Sequence, residues 1–335
     1  MFPSTVRQSI ARLPKRPSLA IIDDYLNTSE SHFAHIPTSS LQVTTFNDTI
    51  TPINEAETAR LVERLKPFEA ISTMRERTAF SGSLLRSLPN LKLLLATGTQ
   101  FETFDLAAAR ELGITVVAAP GGVHPTTQHA WALIMALSRN VAADDAVLKT
   151  GTGWQTELAI GLTGLTIGIV GLGRLGAAVA RIGHLAWGMK VLCWNTFHAV
   201  SKEHLFCNSD VVSLHYVLSD RSRGIVGANE LQQMKSSAML INTSREPLID
   251  QAALLNSLER GAIRGAALDV FEIEPLPMYS PWRRTNYWGR DGRSRLITTP
   301  HMGYMDERLV NAWYAETAEN IDRWLEGKEV LHRIA

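Results

Sequence analysis

The chain of 335 residues is long enough for two domains of ordinary size, and it can bury a core without disulfide bonds. Its 33 Lys and Arg residues balance its 33 Asp and Glu residues, which argues against a nucleic-acid-binding or membrane-surface protein. Two cysteines are too few for a disulfide framework or a zinc ribbon, and they favour a reducing compartment, which we expect to be the cytoplasm. No apolar run reaches the roughly 18 residues of a membrane span.

The first 22 residues contain several basic residues and no acid, a composition shared with mitochondrial transit peptides. Three prolines in this stretch oppose the amphipathic helix that such a peptide needs. We therefore expect a disordered leader, with mitochondrial import as the minor alternative.

The first half of the chain alternates between strand-like and helix-like runs. Strands are predicted over 19–23, 42–46, 70–73, 92–96 and 115–117, and helices over 55–65, 83–87 and 106–112. This order predicts a small open parallel sheet with helices outside it.

A long helix is predicted next, over 125–140, with proline at its tolerated first turn. A second series follows. Its strands are predicted over 166–170, 190–195, 211–215, 238–243, 265–270 and 295–298, and its helices over 174–187, 202–207, 250–260 and 306–326. The α/β class with two Rossmann-like sheets is therefore predicted, the second sheet being inserted before the final helix.

A glycine motif, G-x-G-x-x-G, stands between the strand over 166–170 and the helix over 174–187. Gly171 permits a tight turn, Gly173 lets the backbone approach a pyrophosphate, and Gly176 allows close packing of helix and strand. The helix N-terminus adds the positive end of its dipole. This context favours dinucleotide binding over a glycine-rich turn without a ligand.

The dinucleotide fingerprint departs from its usual form at the end of the next strand. An acidic residue is expected there to bind the ribose hydroxyls, but the position holds Asn195, and no acid occurs over 177–202. Asparagine does not repel a 2′-phosphate, so the choice between NAD and NADP stays open. Residues 197–200 resemble a further short strand, yet they follow too closely for a parallel crossover.

Three ionisable residues follow three strands of the second series. Arg245 comes just after the strand over 238–243, Asp269 lies at the end of the strand over 265–270, and His301 follows the strand over 295–298. In open α/β sheets the ligand binds outside the carboxyl ends of the strands, so these side chains can converge on it. Each residue also has a structural alternative. Arg245 could be a surface charge, Asp269 could cap a turn, and His301 could be a structural histidine whose hydrogen bonds are made within the fold.

With these motifs in order, the chain resembles the D-isomer-specific 2-hydroxyacid dehydrogenases, a family that includes glyoxylate/hydroxypyruvate reductases. The similarity extends over most of the chain and is best over 165–304. It implies a flavodoxin-like substrate domain formed by 1–122 and 303–335, with an NAD(P)-binding Rossmann domain inserted over 123–302.

The resemblance also implies residue roles. Arg245 would bind the carboxylate and keto oxygen of a 2-oxo acid, His301 would exchange the proton, and Glu274 would orient His301 and stabilise its charged form. The implied cofactor contacts are Gly171, Gly173, Arg174, Leu175, Gly176, Asn195, Thr243 and Asp269. The implied substrate contacts are Arg75, Thr99 and Gln100.

The predicted activity is reversible hydride transfer between NAD(P)H and a small 2-oxo acid such as glyoxylate or hydroxypyruvate, without a metal. A homodimer formed through the nucleotide domain is expected by analogy. Two alternatives stay open: a dinucleotide-binding scaffold like the corepressors among the family's relatives, and a catalytically impaired paralogue. Glu246 departs from the family, in which glycine usually follows the catalytic arginine, and Gln100 also stands where many members have glycine.

Overall fold

The computed structural model describes residues 16–99, 103–120, 125–195 and 200–335. Strands and helices alternate along the chain, as the α/β prediction requires. The first half contains β1 (Ser18–Ile21), α1 (Glu30–Phe33), β2 (Gln42–Thr45), α2 (Glu55–Leu65), β3 (Ala70–Thr73), α3 (Gly82–Arg86), β4 (Leu93–Thr97), α4 (Leu106–Glu111) and β5 (Thr115–Ala119).

The second half begins with a helical segment and continues as a second alternating series. It contains α5 (Thr126–Ser138), α6 (Val141–Thr150), β6 (Thr166–Val170), α7 (Arg174–Trp187), β7 (Lys190–Trp194), α8 (Lys202–Asn208), β8 (Val211–Leu214), α9 (Ala228–Gln233), β9 (Met239–Asn242), α10 (Gln251–Glu259), β10 (Gly265–Leu268), β11 (Arg295–Thr298) and α11 (Glu307–Leu325). Short 3₁₀ helices lie at Glu246–Leu248 and Pro281–Arg283.

The chain divides into two compact units. The first unit combines Met1–Gly122 with Glu307–Ala335, and the second is Val123–Asp306. In the first unit the strand order is β2-β1-β3-β4-β5, and all the pairs are parallel. Strands β1, β3 and β4 are buried along their whole length, as expected for a parallel sheet with both faces covered.

The second unit has the strand order β11-β10-β9-β8-β6-β7, again with parallel pairing. Strand β6 lies between β7 and β8, so the direction in which strands are added reverses beside it. This is a topological switch point, where open α/β sheets bind their ligands at the carboxyl ends. The apolar core on one face includes Trp131 and Ile134 of α5, and on the other face Phe206 and Leu254 of α8 and α10.

The prediction of one helix over 125–140 is wrong at its C-terminal end. Helix α5 ends at Ser138, and Asn140 adopts the left-handed conformation with φ of 61°. The Asn140 side-chain amide donates to the Glu157 carbonyl oxygen at 2.9 Å, which stabilises the break. A separate helix, α6, begins at the next residue.

Of the strand-like residues 197–200, only Val200 lies in the described part of the chain. Its amide donates to the Cys193 carbonyl oxygen at 3.1 Å, so Val200 lies beside β7. In the described ranges, no helix has the length and apolar character that a membrane span would need.

Candidate active site

The glycine turn of the second unit connects β6 to α7. Gly171 has φ of 99°, and a Cβ atom there would lie 2.7 Å from the backbone of His215. A Cβ atom on Gly176 would lie 2.1 Å from the Gly171 carbonyl oxygen. Both positions therefore require glycine for the fold itself.

Gly173 differs from the other two glycines because a Cβ atom there would meet no described atom within 4 Å. Gly173 is the N-cap of α7, so its backbone faces open space at the positive end of a 14-residue helix. This exposed backbone fits the pyrophosphate of a dinucleotide, while Arg174 and Leu175 form the first turn of the helix.

The carboxyl ends of β9, β10 and β11 carry the polar residues predicted from the sequence. Thr243 and Arg245 follow β9, Asp269 follows β10, and His301 follows β11. These strands are parallel neighbours in the sheet, so the four residues emerge at one edge. The glycine turn emerges at the same edge, because β6 is parallel to these strands through β8.

His301 and Glu274 form a close pair. His301 Nδ1 lies 2.6 Å from Glu274 Oε2, and both side chains are largely buried, with 15% and 20% of their surface exposed. The other carboxylate oxygen of Glu274 accepts a hydrogen bond from the Phe271 amide at 2.9 Å. Glu274 is thus fixed by backbone on one side and can fix the imidazole on the other.

Arg245 lies in a loop that is held by its neighbours. Its Nη1 donates to the Ser244 carbonyl oxygen at 2.9 Å, and its own carbonyl oxygen accepts from the Asn242 side chain at 3.0 Å. The Ser244 hydroxyl donates to the Tyr216 carbonyl oxygen at 2.9 Å, which connects this loop to the end of β8. The guanidinium is half-buried at the edge where the other polar residues emerge.

Asp269 is 1% exposed and forms the centre of a hydrogen-bond cluster. Its carboxylate accepts from the Thr299 hydroxyl and from the amides of Met302 and Gly303, both at 2.9 Å. His129 Nε2 lies 3.2 Å from the same carboxylate. Burial raises the pKa of Asp269, but these hydrogen bonds outweigh it and hold the pKa below its ordinary value.

The sequence predictions missed His129 and Thr299. His129 lies on α5, 140 residues before Asp269, so no local spacing connects the two. Thr299 precedes the Pro300-His301 pair, and its hydroxyl next to a strand end was the available signal. The cluster supports the turn-capping alternative for Asp269, and its contact with the nicotinamide stays a prediction.

Two further features of the second unit fit a bound dinucleotide. The Thr243 hydroxyl is buried and has no hydrogen-bond partner in the described part of the chain, so it can serve a ligand. At the end of β7, next to Asn195, the Trp194 ring stacks on Tyr216 with centroids 5.5 Å apart. These residues lie at the carboxyl ends of β7 and β8, the strands on either side of β6, where the adenosine half of a dinucleotide would lie.

Glu246 is the first residue of the 3₁₀ helix after Arg245, and it is only 7% exposed. Burial, then the negative charge of Glu272, raises the pKa of Glu246 to about 7. Glu274 adds to this effect, while a hydrogen bond with Gln251 opposes it. The sequence showed the departure from glycine at this position but not the burial of the carboxyl group.

Two of the predicted substrate residues, Arg75 and Thr99, lie in the described part of the first unit. Arg75 follows β3 in the left-handed conformation, with φ of 54°, and its amide donates to the Thr97 hydroxyl at 3.0 Å. Its guanidinium lies 3.4 Å from the Glu76 carboxylate and 5.9 Å from the Trp313 ring centroid. Thr99 is exposed after β4, and Gln100 lies outside the described residues.

Comparison with known proteins gives the family of this chain. The family model for the NAD binding domain of D-isomer specific 2-hydroxyacid dehydrogenases matches residues 131–303. A glyoxylate reductase of Aeropyrum pernix is 37% identical over 271 residues, which cover 73% of this chain and 76% of that protein. A glycerate dehydrogenase of Methylorubrum extorquens is 32% identical, with 80% and 86% covered.

A solved structure of a phosphoglycerate oxidoreductase from Vibrio cholerae is also similar. It has a TM-score of 0.81 and 32% identity, and the match covers 93% of this chain and 99% of that one. The sequence match and the structural match extend over both units. The chain therefore belongs to the D-isomer specific 2-hydroxyacid dehydrogenase family and is an NAD(P)-dependent oxidoreductase.

Proposed function

We propose that the protein reduces a small 2-oxo acid to a D-2-hydroxy acid with NAD(P)H, and catalyses the reverse reaction. The observation that carries this proposal is the His301–Glu274 pair, whose atoms lie 2.6 Å apart at the sheet edge that also presents Arg245 and the glycine turn. An acid–base histidine, a carboxylate that orients it and an arginine for an anionic substrate are the groups that this reaction needs.

Each of these side chains has a distinct role in the proposed reaction. The Arg245 guanidinium binds the substrate carboxylate and keto oxygen, for which its planar fork is suited. His301 donates a proton to the keto oxygen during reduction and accepts the hydroxyl proton in the reverse direction. Because Nδ1 faces Glu274, the proton moves at Nε2. The cofactor, when bound, supplies the hydride.

The remaining predicted residues complete the two binding sites. Thr243 and Asp269 would lie along the nicotinamide half of the cofactor, and Asn195 along the adenosine ribose. Lys202 follows this region, but it pairs with Glu230 at 2.8 Å, which opposes its use as a ligand of a 2′-phosphate. Arg75, Thr99 and Gln100 remain the residues predicted to contact the substrate.

The names of the relatives support the substrate class. They include glyoxylate reductases and a glycerate dehydrogenase, which act on small hydroxy or oxo acids. We therefore propose glyoxylate and hydroxypyruvate as the first substrates to test, with NADH and NADPH assayed separately.

Initial rates of oxidation of the reduced cofactor, with these acids and a few bulkier ones, test the proposal. His301→Ala should lower kcat/KM by at least about 100-fold, the lower end of what general acid–base catalysis supplies. His204→Ala is a matched control, because His204 is an exposed histidine of the same unit and its side chain lies on α8, outside the site. Turnover that survives His301→Ala at the control's level would overturn the roles assigned here.

Measurements on the purified wild-type protein also distinguish the two alternatives to an active enzyme, a dinucleotide-binding scaffold and a catalytically impaired paralogue. Tight cofactor binding, followed by fluorescence, without turnover of any acid would favour the dinucleotide-binding scaffold. Neither binding nor turnover by a folded protein would favour the impaired paralogue.

We also propose a homodimer formed through the second unit. Helix α6 has no buried residue, and it exposes Val141 and Leu148 to 57% and 50%. The segment after it exposes Trp154 and Leu158 to 76% and 91%. Apolar side chains grouped on one segment are typical of an interface between subunits. Light scattering should give twice the mass of the chain, and Trp154→Ser with Leu158→Ser should shift the protein towards the monomer.

A further inference from the structure

A histidine of helix α5 lies against the groups that hold the turn around His301. His129 Nε2 lies 3.2 Å from Asp269 Oδ1 and 3.0 Å from the Thr299 hydroxyl oxygen. A Cβ atom on Gly303 would lie 3.5 Å from His129 Cδ2, so the ring also packs against the backbone that follows His301. His129 is largely buried, with 14% of its side chain exposed, and the proposed reaction gives it no role.

The two partners of His129 bind the turn on either side of His301. The Thr299 carbonyl oxygen accepts from the His301 amide at 2.9 Å, so Thr299 fixes the turn before the histidine. The Asp269 carboxylate accepts from the two amides that follow His301, so it fixes the turn after the histidine. His301 itself has φ of 48°, a left-handed conformation that is kept only where neighbouring groups support it.

The neighbours of the His129 ring determine which of its nitrogens carries the proton. Asp269 is an ionised carboxylate, since burial raises its pKa less than its hydrogen bonds lower it. The Thr299 hydroxyl donates its own hydrogen to that carboxylate, so its oxygen is left as an acceptor. A bare Nε2 would place a lone pair against both of these oxygen atoms. His129 is therefore the donor, and its Nε2–H is shared between Asp269 and Thr299.

Helix α5 gives this donor a fixed position. Ala130 and Trp131, which follow His129, belong to the apolar core on one face of the second sheet. The His129 amide donates to the Pro125 carbonyl oxygen at 3.0 Å, within the first turn of the helix. The imidazole therefore connects the loops after β10 and β11 to a helix that the core holds in place. Its hydrogen bond to a buried carboxylate is of the stronger, charge-assisted kind.

We propose that His129 is a positioning residue for the proton transfer, and that its shared Nε2–H fixes the turn from which His301 projects. The His129 ring exchanges no proton with the substrate; it acts through Thr299 and Asp269. Without this donor the turn moves more freely, and His301 reaches the keto oxygen in a smaller fraction of the bound complexes. This inference rests on the proposed function, because that function assigns the proton transfer to His301.

The test compares His129→Gln with His129→Leu. A glutamine amide can donate to the same two oxygen atoms, whereas leucine fills the space without a donor. The kcat and KM for glyoxylate are measured in water and in deuterium oxide, with NADH or NADPH, whichever supports turnover. The Kd of the reduced cofactor is measured by fluorescence. His204→Leu is the matched control, because His204 is an exposed histidine on α8 of the same unit.

His129→Leu should lower kcat by roughly tenfold, as for the loss of one hydrogen bond to a charged group, and should change the cofactor Kd by less than about twofold. Because proton transfer then becomes slower relative to the other steps, the solvent isotope effect on kcat should increase. His129→Gln should restore both the kcat and the isotope effect of the wild-type protein. A role in stability alone would lower the melting temperature and leave the isotope effect of the folded enzyme unchanged.

An equal kcat and an equal isotope effect in His129→Leu and the wild type, in an active enzyme, would overturn this inference alone. A loss of kcat that glutamine does not restore would also contradict it. If leucine prevents folding, the nitrogen-15 spectrum of the wild-type histidines decides: a proton on Nε2 of His129 supports the inference, and a proton on Nδ1 contradicts it. Absence of turnover in the wild-type protein would instead overturn the proposed function, and with it the role assigned to His129.

Discussion

Replacing Glu274 with glutamine tests whether the carboxylate acts through His301. Glutamine can still accept a hydrogen bond from Nδ1, but it no longer stabilises the positive charge of a protonated imidazole. The contact is short, at 2.6 Å, and only 20% of the Glu274 side chain is exposed, so solvent screens it weakly. A hydrogen bond to a charged group contributes about 1.5–3 kcal/mol, which predicts a loss of roughly 10- to 150-fold in kcat/KM.

The assay is the initial rate of glyoxylate reduction by wild type, Glu274→Gln, His301→Ala and the double variant. If Glu274 acts by orienting and stabilising His301, the double variant should be no slower than His301→Ala. Glu259→Gln controls for the loss of a negative charge from the same unit. A full additional loss in the double variant would refute the reasoning, because Glu274 would then contribute to the reaction independently of the histidine.

Three further predictions concern binding and stability. Gly173→Ala should fold normally but weaken NADH binding, because its Cβ would enter only the space left for the pyrophosphate. Gly176→Ala should instead lower the melting temperature, because its Cβ would overlap the Gly171 carbonyl oxygen. Fluorescence titration of NADH measures the first effect and calorimetry the second. Asp269→Asn should destabilise the protein at pH 7 by about 1.5–3 kcal/mol, because it weakens the hydrogen bonds that backbone amides donate to a charged carboxylate. The difference should shrink in acid, since the lowered pKa of Asp269 gives stability that is lost as pH falls through it. Burial lowers the pKa of His215 to about 4, whereas the unfolded chain binds this proton near pH 6.5. The free energy of unfolding should therefore fall by up to about 3 kcal/mol as the pH is lowered from about 6.5 to 4. Denaturant titrations of His215→Gln should show a weaker dependence on pH in this range.

Much of the second sheet was predictable because its signals are local. The strands over 166–170 and 295–298 and the helix over 174–187 have the predicted bounds, since apolar runs and glycine punctuation mark them directly. The convergence of Arg245 and His301 at one edge was also predictable, because parallel neighbours end at the same edge of a sheet.

The features that the sequence did not reveal depend on contacts distant along the chain. The His129–Asp269 pair joins α5 to the end of β10, and no spacing rule covers such a separation. The burial of the Glu246 carboxyl group has no local sequence signal, so the sequence showed only an unusual residue after the arginine. The break at Asn140 required a partner 17 residues later, the Glu157 carbonyl oxygen.

The geometry around Asp269 explains how this residue can affect proton transfer by His301 without taking part in it. His301 adopts the left-handed conformation, with φ of 48°, which costs a non-glycine residue about 1–2 kcal/mol. The two amides that follow His301, those of Met302 and Gly303, both donate to the Asp269 carboxylate. Those charge-assisted hydrogen bonds offset the strain and fix the backbone from which the imidazole projects. Two residues therefore fix the orientation of His301: Glu274 contacts its ring, and Asp269 binds the backbone that follows it. Loss of Glu274 is expected to slow proton transfer. Loss of Asp269 is expected to slow proton transfer and also to destabilise the fold.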